Sequence, residues 1–118
     1  MSEEIANALC KTTVISTGDF KLASGRNSSI YINLRMLPSY PEIFNFISDK
    51  AAEVISSMNV NVIAGTEAAI PLATAVALKT GLPMITVRKP RQYDNRSLVT
   101  GVLDREQKVV LITDIITN

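Results

Sequence analysis

Histidine is absent from the 118-residue chain, and cysteine occurs once, at Cys10. Without histidine there is no Ser-His or Cys-His pair to activate a nucleophile, and no imidazole to ligate a metal. A single cysteine excludes an internal disulfide and a thiolate metal cage, and it suits a reducing, cytoplasmic setting. Neither sign of charge is in excess: Lys and Arg number 12, Asp and Glu 11, for a formal net charge of +1. Bulk charge therefore points to neither nucleic acid nor a membrane surface as partner. The apolar runs fall far short of a bilayer span, and the amino terminus, MSEEIANALCKTT, is acidic where a secretory signal would be basic. Repeats, low-complexity tracts and linkers are missing too. The expectation is a soluble, cytoplasmic protein whose residues 1–118 form one domain, with enough apolar content for a core.

The last stretch, KVVLITDIITN, is the most informative. Val109, Val110, Leu111 and Ile112 form an unbroken apolar run, which predicts a strand buried on both faces of a parallel sheet. Asp114 and Thr117 follow it, at the carboxyl end where ligands bind in open α/β sheets. Asp114 is too polar to be buried there without a partner.

The rest of the chain builds towards that strand. Residues 2–11 read as a short helix, with Ser2 as cap, Glu3 and Glu4 in its first turn, and Ile5, Ala8 and Leu9 on one face. Cys10 is expected to pack there as a small apolar residue. Two extended pieces, 19–23 and 30–34, flank a Ser24-Gly25 turn and predict a hairpin or small subdomain. Pro41 suits the first position of a helix running to about residue 58, with Ile43, Phe44, Ile47, Ala51, Val54 and Ile55 as its apolar stripe. A strand over 60–64, the small-residue loop Gly65-Thr66-Glu67-Ala68-Ala69 and a helix over 71–80 stopped by Gly81 come next. Strand, loop and helix in that order aim backbone N–H groups at an anion. A further strand over 83–87 carries Arg88 and Lys89 at its carboxyl end. The polar stretch 90–101, PRQYDNRSLVTG, has the length and composition of a mobile surface loop. The fold class is α/β: a parallel sheet flanked by helices, with an N-terminal helix and hairpin over 1–40 and an α/β core over 41–118.

Four blocks of the chain, in order, resemble orotate phosphoribosyltransferases, members of the type I phosphoribosyltransferases. GDFKLASGRNSSIYINLR resembles the segment that opens that family, which implies a place for Tyr31 in an orotate pocket and dimer contacts nearby. AGTEAAIPLATAVAL resembles the loop that holds the donor's pyrophosphate, which implies donor contacts from Thr66, Ala68 and Ala69. Two alanines stand there in place of the family's glycines, and Glu67 adds an acid; an acid facing pyrophosphate is unfavourable unless a magnesium ion lies between them. Arg88-Lys89 and the loop after them resemble a catalytic lid that closes over the neighbouring subunit. Arg91 or Gln92 stands where that lid has a lysine, Tyr93 matches its tyrosine and Asp94 replaces a glycine. Leu98, Val99 and Gly101 are similar to its return to the sheet. The final strand resembles the family's signature of four apolar residues, two acids and a phosphate loop, with Thr113 replacing the first acid.

The resemblance implies transfer of a phosphoribosyl group from phosphoribosyl pyrophosphate to orotate, giving orotidine monophosphate and pyrophosphate, with Mg2+ as cofactor. It implies Lys89, Arg91 and Asp114 as catalytic residues and Arg88, Lys89, Tyr31, Thr66, Ala68, Ala69, Tyr93, Asp114 and Thr117 as substrate contacts, with no protein metal ligands. A cytoplasmic homodimer follows from the shared lid, with no nucleic-acid or membrane partner. The family's phosphate loop, following helix and later strands would lie beyond Asn118. The sheet is therefore expected to lack its C-terminal strands, either as a truncated product or with its edge covered by a partner subunit. The alternative reading is a catalytically impaired relative that acts as a nucleotide-binding or regulatory module.

Overall fold

The structure, a computed structural model, describes residues 2–10, 15–21, 25–89 and 98–113. The chain divides into two units, Met1–Ile47 and Ser48–Asn118. The first opens with helix α1 (Ser2–Cys10), which has Glu3 and Glu4 in its first turn, where the helix dipole favours acids. Cys10 is exposed rather than packed, because it is the last residue of that helix. Strands β1 (Ile15–Lys21) and β2 (Asn27–Ile32) form an antiparallel hairpin, longer and earlier in the chain than the sequence pattern suggests. β-Branched Ile15, Thr17, Ile30 and Ile32 suit extended backbone, and pairing carries the polar residues between them into the ladder. The register slips between Thr17 and Phe20, where Gly18 takes φ 151, a value that glycine reaches without a Cβ penalty. A 3-10 turn over Leu34–Ser39 follows, its Arg35 amide donating to the Asn33 side chain at 3.2 Å.

Helix α2 (Pro41–Ser56) begins at the expected proline, whose missing N–H costs nothing in a first turn. Its buried residues are Ser48, Ala52 and Ile55, spaced as one helix face requires. Val54, expected on the apolar stripe, is exposed, and Ser48 lies on the buried face instead. Which residues are buried is set by what α2 packs against, not by apolar character alone. No buried side-chain polar atom among the described residues lacks a hydrogen-bond partner.

The second unit is built on strands β3 (Val62–Thr66), β4 (Met84–Val87), β5 (Val99–Thr100) and β6 (Val109–Ile112), in the spatial order β5-β4-β3-β6. β3 pairs in parallel with β4 and β6, while β5 runs antiparallel to β4. Helix α3 (Ile70–Thr80) is the crossover from β3 to β4. Gly81 ends α3 in a left-handed conformation at φ 74, its amide donating to Ala77, as the sequence predicts. β3 starts two residues later than the periodicity suggests, because Asn61 is occupied in joining the strands. Its amide donates to the Lys108 carbonyl at 2.8 Å, and its side-chain oxygen accepts the Lys108 amide at 2.8 Å.

One face of the sheet packs Ile63 against Ala52 and Ile55 of α2 and Ala73 and Val76 of α3, with Val110 and Ile112 at the margin. The other face holds Val62, Ala64 and Ile85 with Val87 and Val99. β3 and α3 approach closely at Gly65, where an added Cβ would lie 2.7 Å from the Ala73 methyl. β6 is not buried on both faces. Val109 and Leu111 are 40% and 55% exposed, since among the described strands only β3 flanks β6 and its second face is uncovered. The result is a mixed α/β architecture whose parallel strands all end at one edge.

Candidate functional site

That edge collects the chemistry of the second unit. β3 ends at Thr66 and leads into a 3-10 turn, Glu67–Ala69, which passes directly into α3. Register pairs Thr66 with Val87 on β4 and Gly65 with Ile112 on β6. Arg88 and Lys89 therefore follow on one side of Thr66, and Thr113 stands on the other. The Thr66 hydroxyl donates to the Thr113 hydroxyl across 3.4 Å, long for an O–H···O bond, in a half-buried setting.

The turn accepts alanine without strain. No residue other than glycine has positive φ among the described residues, and Ala69 sits at φ −98, ψ 4. The two alanines at the family's glycine positions therefore need no unusual backbone. Ala69 is buried, Ala68 half-buried and Glu67 exposed. As the residue before α3, Ala69 has no side-chain acceptor for the first-turn amides. Such amides, with the helix dipole behind them, form a favourable place for an anion.

Arg88 is half-buried and Lys89 exposed. The Arg88 amide donates to the Leu98 carbonyl at 2.9 Å, extending the β4–β5 ladder past β4, and its guanidinium reaches the Lys89 carbonyl at 3.4 Å. This pairing fixes the backbone that carries both cations. Opposite charges are thus arranged along one edge, cations after β4 and an acid after β3.

The described donors at this edge are oxygens: Glu67 and the two threonine hydroxyls. No group of three or more His, Cys, Asp or Glu able to hold a metal occurs among the described residues. That set does not make a dedicated cage. It fits a magnesium ion carried by substrate phosphates, which needs only one or two protein carboxylates.

Of the residues proposed from sequence, Thr66, Ala68, Ala69, Arg88 and Lys89 come together here. Tyr31 lies on β2 in the first unit, opposite Ser16 in the hairpin. Arg91, Tyr93, Asp114 and Thr117 lie outside the described residues. The Thr66–Thr113 contact was not foreseen, and it depends on register, which hydrophobic pattern alone does not set. An apolar hollow of about 370 Å³, lined by Thr74, Ala77, Leu78, Gly81, Leu82 and Met84, lies at the start of β4, away from the strand ends. No helix among the described residues is long and apolar enough to cross a membrane.

No protein-family model matches the chain. Curated relatives do. The chain is 36% identical over 118 residues to an orotate phosphoribosyltransferase of Methanosarcina acetivorans, covering 98% of this chain and 63% of that protein. It is 35% identical over 114 residues to one of Thermoplasma volcanium, covering 96% of this chain and 67% of that protein. Among solved structures, Leishmania donovani UMP synthase superposes with a TM-score of 0.83 at 32% identity, over 98% of this chain and 25% of that one. Orotate phosphoribosyltransferase from Aeropyrum pernix gives a TM-score of 0.72 at 27% identity, over 91% of this chain and 62% of that one. The chain thus spans 63% of the length of the Methanosarcina relative. With these identities, and a parallel sheet that ends in the turn and cation pair described above, the chain belongs to the orotate phosphoribosyltransferase family.

Proposed function

We propose that the chain serves phosphoribosyl transfer from phosphoribosyl pyrophosphate to orotate in pyrimidine nucleotide synthesis. In that reaction the bond from the anomeric carbon to pyrophosphate breaks, a bond from that carbon to an orotate ring nitrogen forms, and pyrophosphate leaves with the electron pair. No protein nucleophile is needed, which accords with a chain without histidine. The observation that carries the reading is the juxtaposition at one sheet edge of the turn over 66–69 with Arg88 and Lys89. Amides from the turn and cations from the neighbouring strand meet a pyrophosphate from two sides, and charge that grows on the leaving group is stabilised there.

Arg88 and Lys89 bind and orient the pyrophosphate, with Arg91 and Tyr93 joining from the loop that follows. Asp114 accepts hydrogen bonds from the ribose hydroxyls, Thr117 contacts the ribose phosphate and Tyr31 lines the orotate pocket. Magnesium, when bound, neutralises phosphate charge and offsets the unfavourable approach of Glu67. The working unit is a cytoplasmic homodimer in which the 90–101 loop excludes water from the neighbouring site.

The test is orotate consumption followed optically with phosphoribosyl pyrophosphate and magnesium. Turnover is expected to fall by about 100-fold or more when Lys89→Ala and Arg91→Ala are combined, the scale for loss of preorganised charge stabilisation. Unchanged turnover in that double variant refutes the assignment. A second reading is favoured by the neutral Thr113 in the position of an acid: a relative that binds nucleotide without turning it over. Tight binding of orotidine monophosphate by a chain that consumes no orotate would establish that reading instead.

A further inference from the structure

The β3–β6 pair is fastened by side chains at both ends, each time across 47 residues of sequence: Asn61 to Lys108 at the start, Thr66 to Thr113 at the finish. The second contact has a consequence for the turn. Thr66 occupies the residue before the 3-10 turn Glu67–Ala69, a position where threonine oxygens commonly accept an amide of the turn they precede. Here the Thr66 side chain makes no such bond. Its hydroxyl is directed to Thr113 instead. A threonine oxygen has capacity to donate and accept at once, but a β-branched side chain has few χ1 choices. In the conformation that reaches β6, the oxygen serves none of the turn's amides.

We propose that Thr113 is a positioning residue that acts through Thr66: it draws the Thr66 hydroxyl to the β6 side and so keeps the amides of the turn open to an anionic pyrophosphate group. The inference rests on the phosphoribosyltransferase reading for its ligand, though not for the direction of the hydroxyl. It also gives the neutral residue at 113 a use. A threonine there can hold a neighbouring hydroxyl at close range without adding charge beside the exposed Glu67.

The experiment has two arms on the purified chain. In the first, calorimetry measures binding of inorganic pyrophosphate with magnesium to the parent and to Thr113→Val, Thr113→Ser, Thr66→Val and the Thr66→Val/Thr113→Val pair. Valine keeps the branched shape of threonine, so packing is retained, and serine keeps the hydroxyl. Thr113→Val is expected to bind about three- to tenfold more weakly, the scale of one neutral hydrogen bond. Thr113→Ser and the double variant are expected to bind like the parent, since in the double variant no hydroxyl is left to occupy the amides. In the second arm, amide hydrogen exchange at residues 67–70 is expected to slow in Thr113→Val alone, because the released Thr66 hydroxyl then caps the turn. Equal pyrophosphate binding by Thr113→Val and the parent overturns the inference. So does a double variant as weak as Thr113→Val, which would mark simple damage to the strand ends. Exchange that is unchanged in Thr113→Val overturns it as well. Absence of pyrophosphate binding by the parent, with exchange slowed as expected, overturns the functional reading and leaves the steering of the hydroxyl standing.

Discussion

Strands β3 and β6 lie side by side and have much the same sequence character, VIAGT beside VVLI. Yet Val62 and Ile63 are sealed from solvent, while Val109 and Leu111 each keep about half of their surface exposed. The difference does not arise in the strands. β3 has partners on both sides and side chains packed against both of its faces; β6 has one strand neighbour and one packed face among the described residues. Apolar, β-branched residues state what a strand suits, and neighbours decide what it gets. The same contrast bears on function. β3 is rigidly embedded and presents its turn at a fixed place, whereas β6 reaches the site as the outer strand, held to β3 by its ladder and by the Asn61 and Thr113 side chains.

The largest expected effect tests the buried side of this contrast. Ile63→Ala empties space among Ala52, Ile55, Ala73 and Val76, and large-to-small changes at such sites cost about 2–5 kcal/mol. In urea denaturation the midpoint should drop accordingly with the slope unchanged. Leu111→Ala on β6 should cost under about 1 kcal/mol, since more than half of that side chain already meets water. Equal losses from the two variants would erase the distinction drawn between the strands.

Gly65→Ala comes next in size. It keeps the chemistry of β3 but forces a methyl to 2.7 Å from Ala73, and overpacking of this kind costs about 1–3 kcal/mol. Adding Ala73→Gly removes the opposing methyl. It should restore part of the loss, less about 1 kcal/mol for glycine inside a helix. Thermal denaturation of both variants checks this. If Ala73→Gly gives no recovery, the close approach of α3 to β3 is not what requires glycine at 65.

Much of this was legible in the sequence. Pro41 and Gly81 mark helix ends by their own covalent geometry, so α2 begins and α3 stops where the residues alone require. The Arg88-Lys89 pair fell at a strand end because a buried run followed by cations has few other readings. What stayed hidden depends on partners distant in sequence. Ser48 is buried although it is polar, and Val54 is exposed although it is apolar, because packing chose the face of α2. The β1–β2 hairpin begins earlier than its apolar pattern, because cross-strand pairing carried polar residues into the ladder. The Thr66–Thr113 contact required the β3–β6 register, which periodicity does not encode. The two-sided burial expected of β6 failed for the same reason: a run of four apolar residues cannot state how many neighbours it has.

The smallest effect is the most discriminating for β6. Leu111→Lys places a charge on a face that the structure leaves open, and a substitution on exposed surface should change stability by about 0.5 kcal/mol or less. The lysine should also suppress association through this outer strand, because charged side chains on sheet edges oppose pairing with another chain. Sedimentation of the parent and the variant over a range of concentrations reads this directly, beside a urea titration of each. A small stability change with weaker self-association fits an open face that meets other molecules only at high concentration. A loss approaching that of Ile63→Ala would instead mean that Leu111 is covered in solution. β6 would then be an inner strand like β3, and the contrast between the two would disappear. The two results differ by several kcal/mol on the scale of buried leucine truncation, so the measurement separates them.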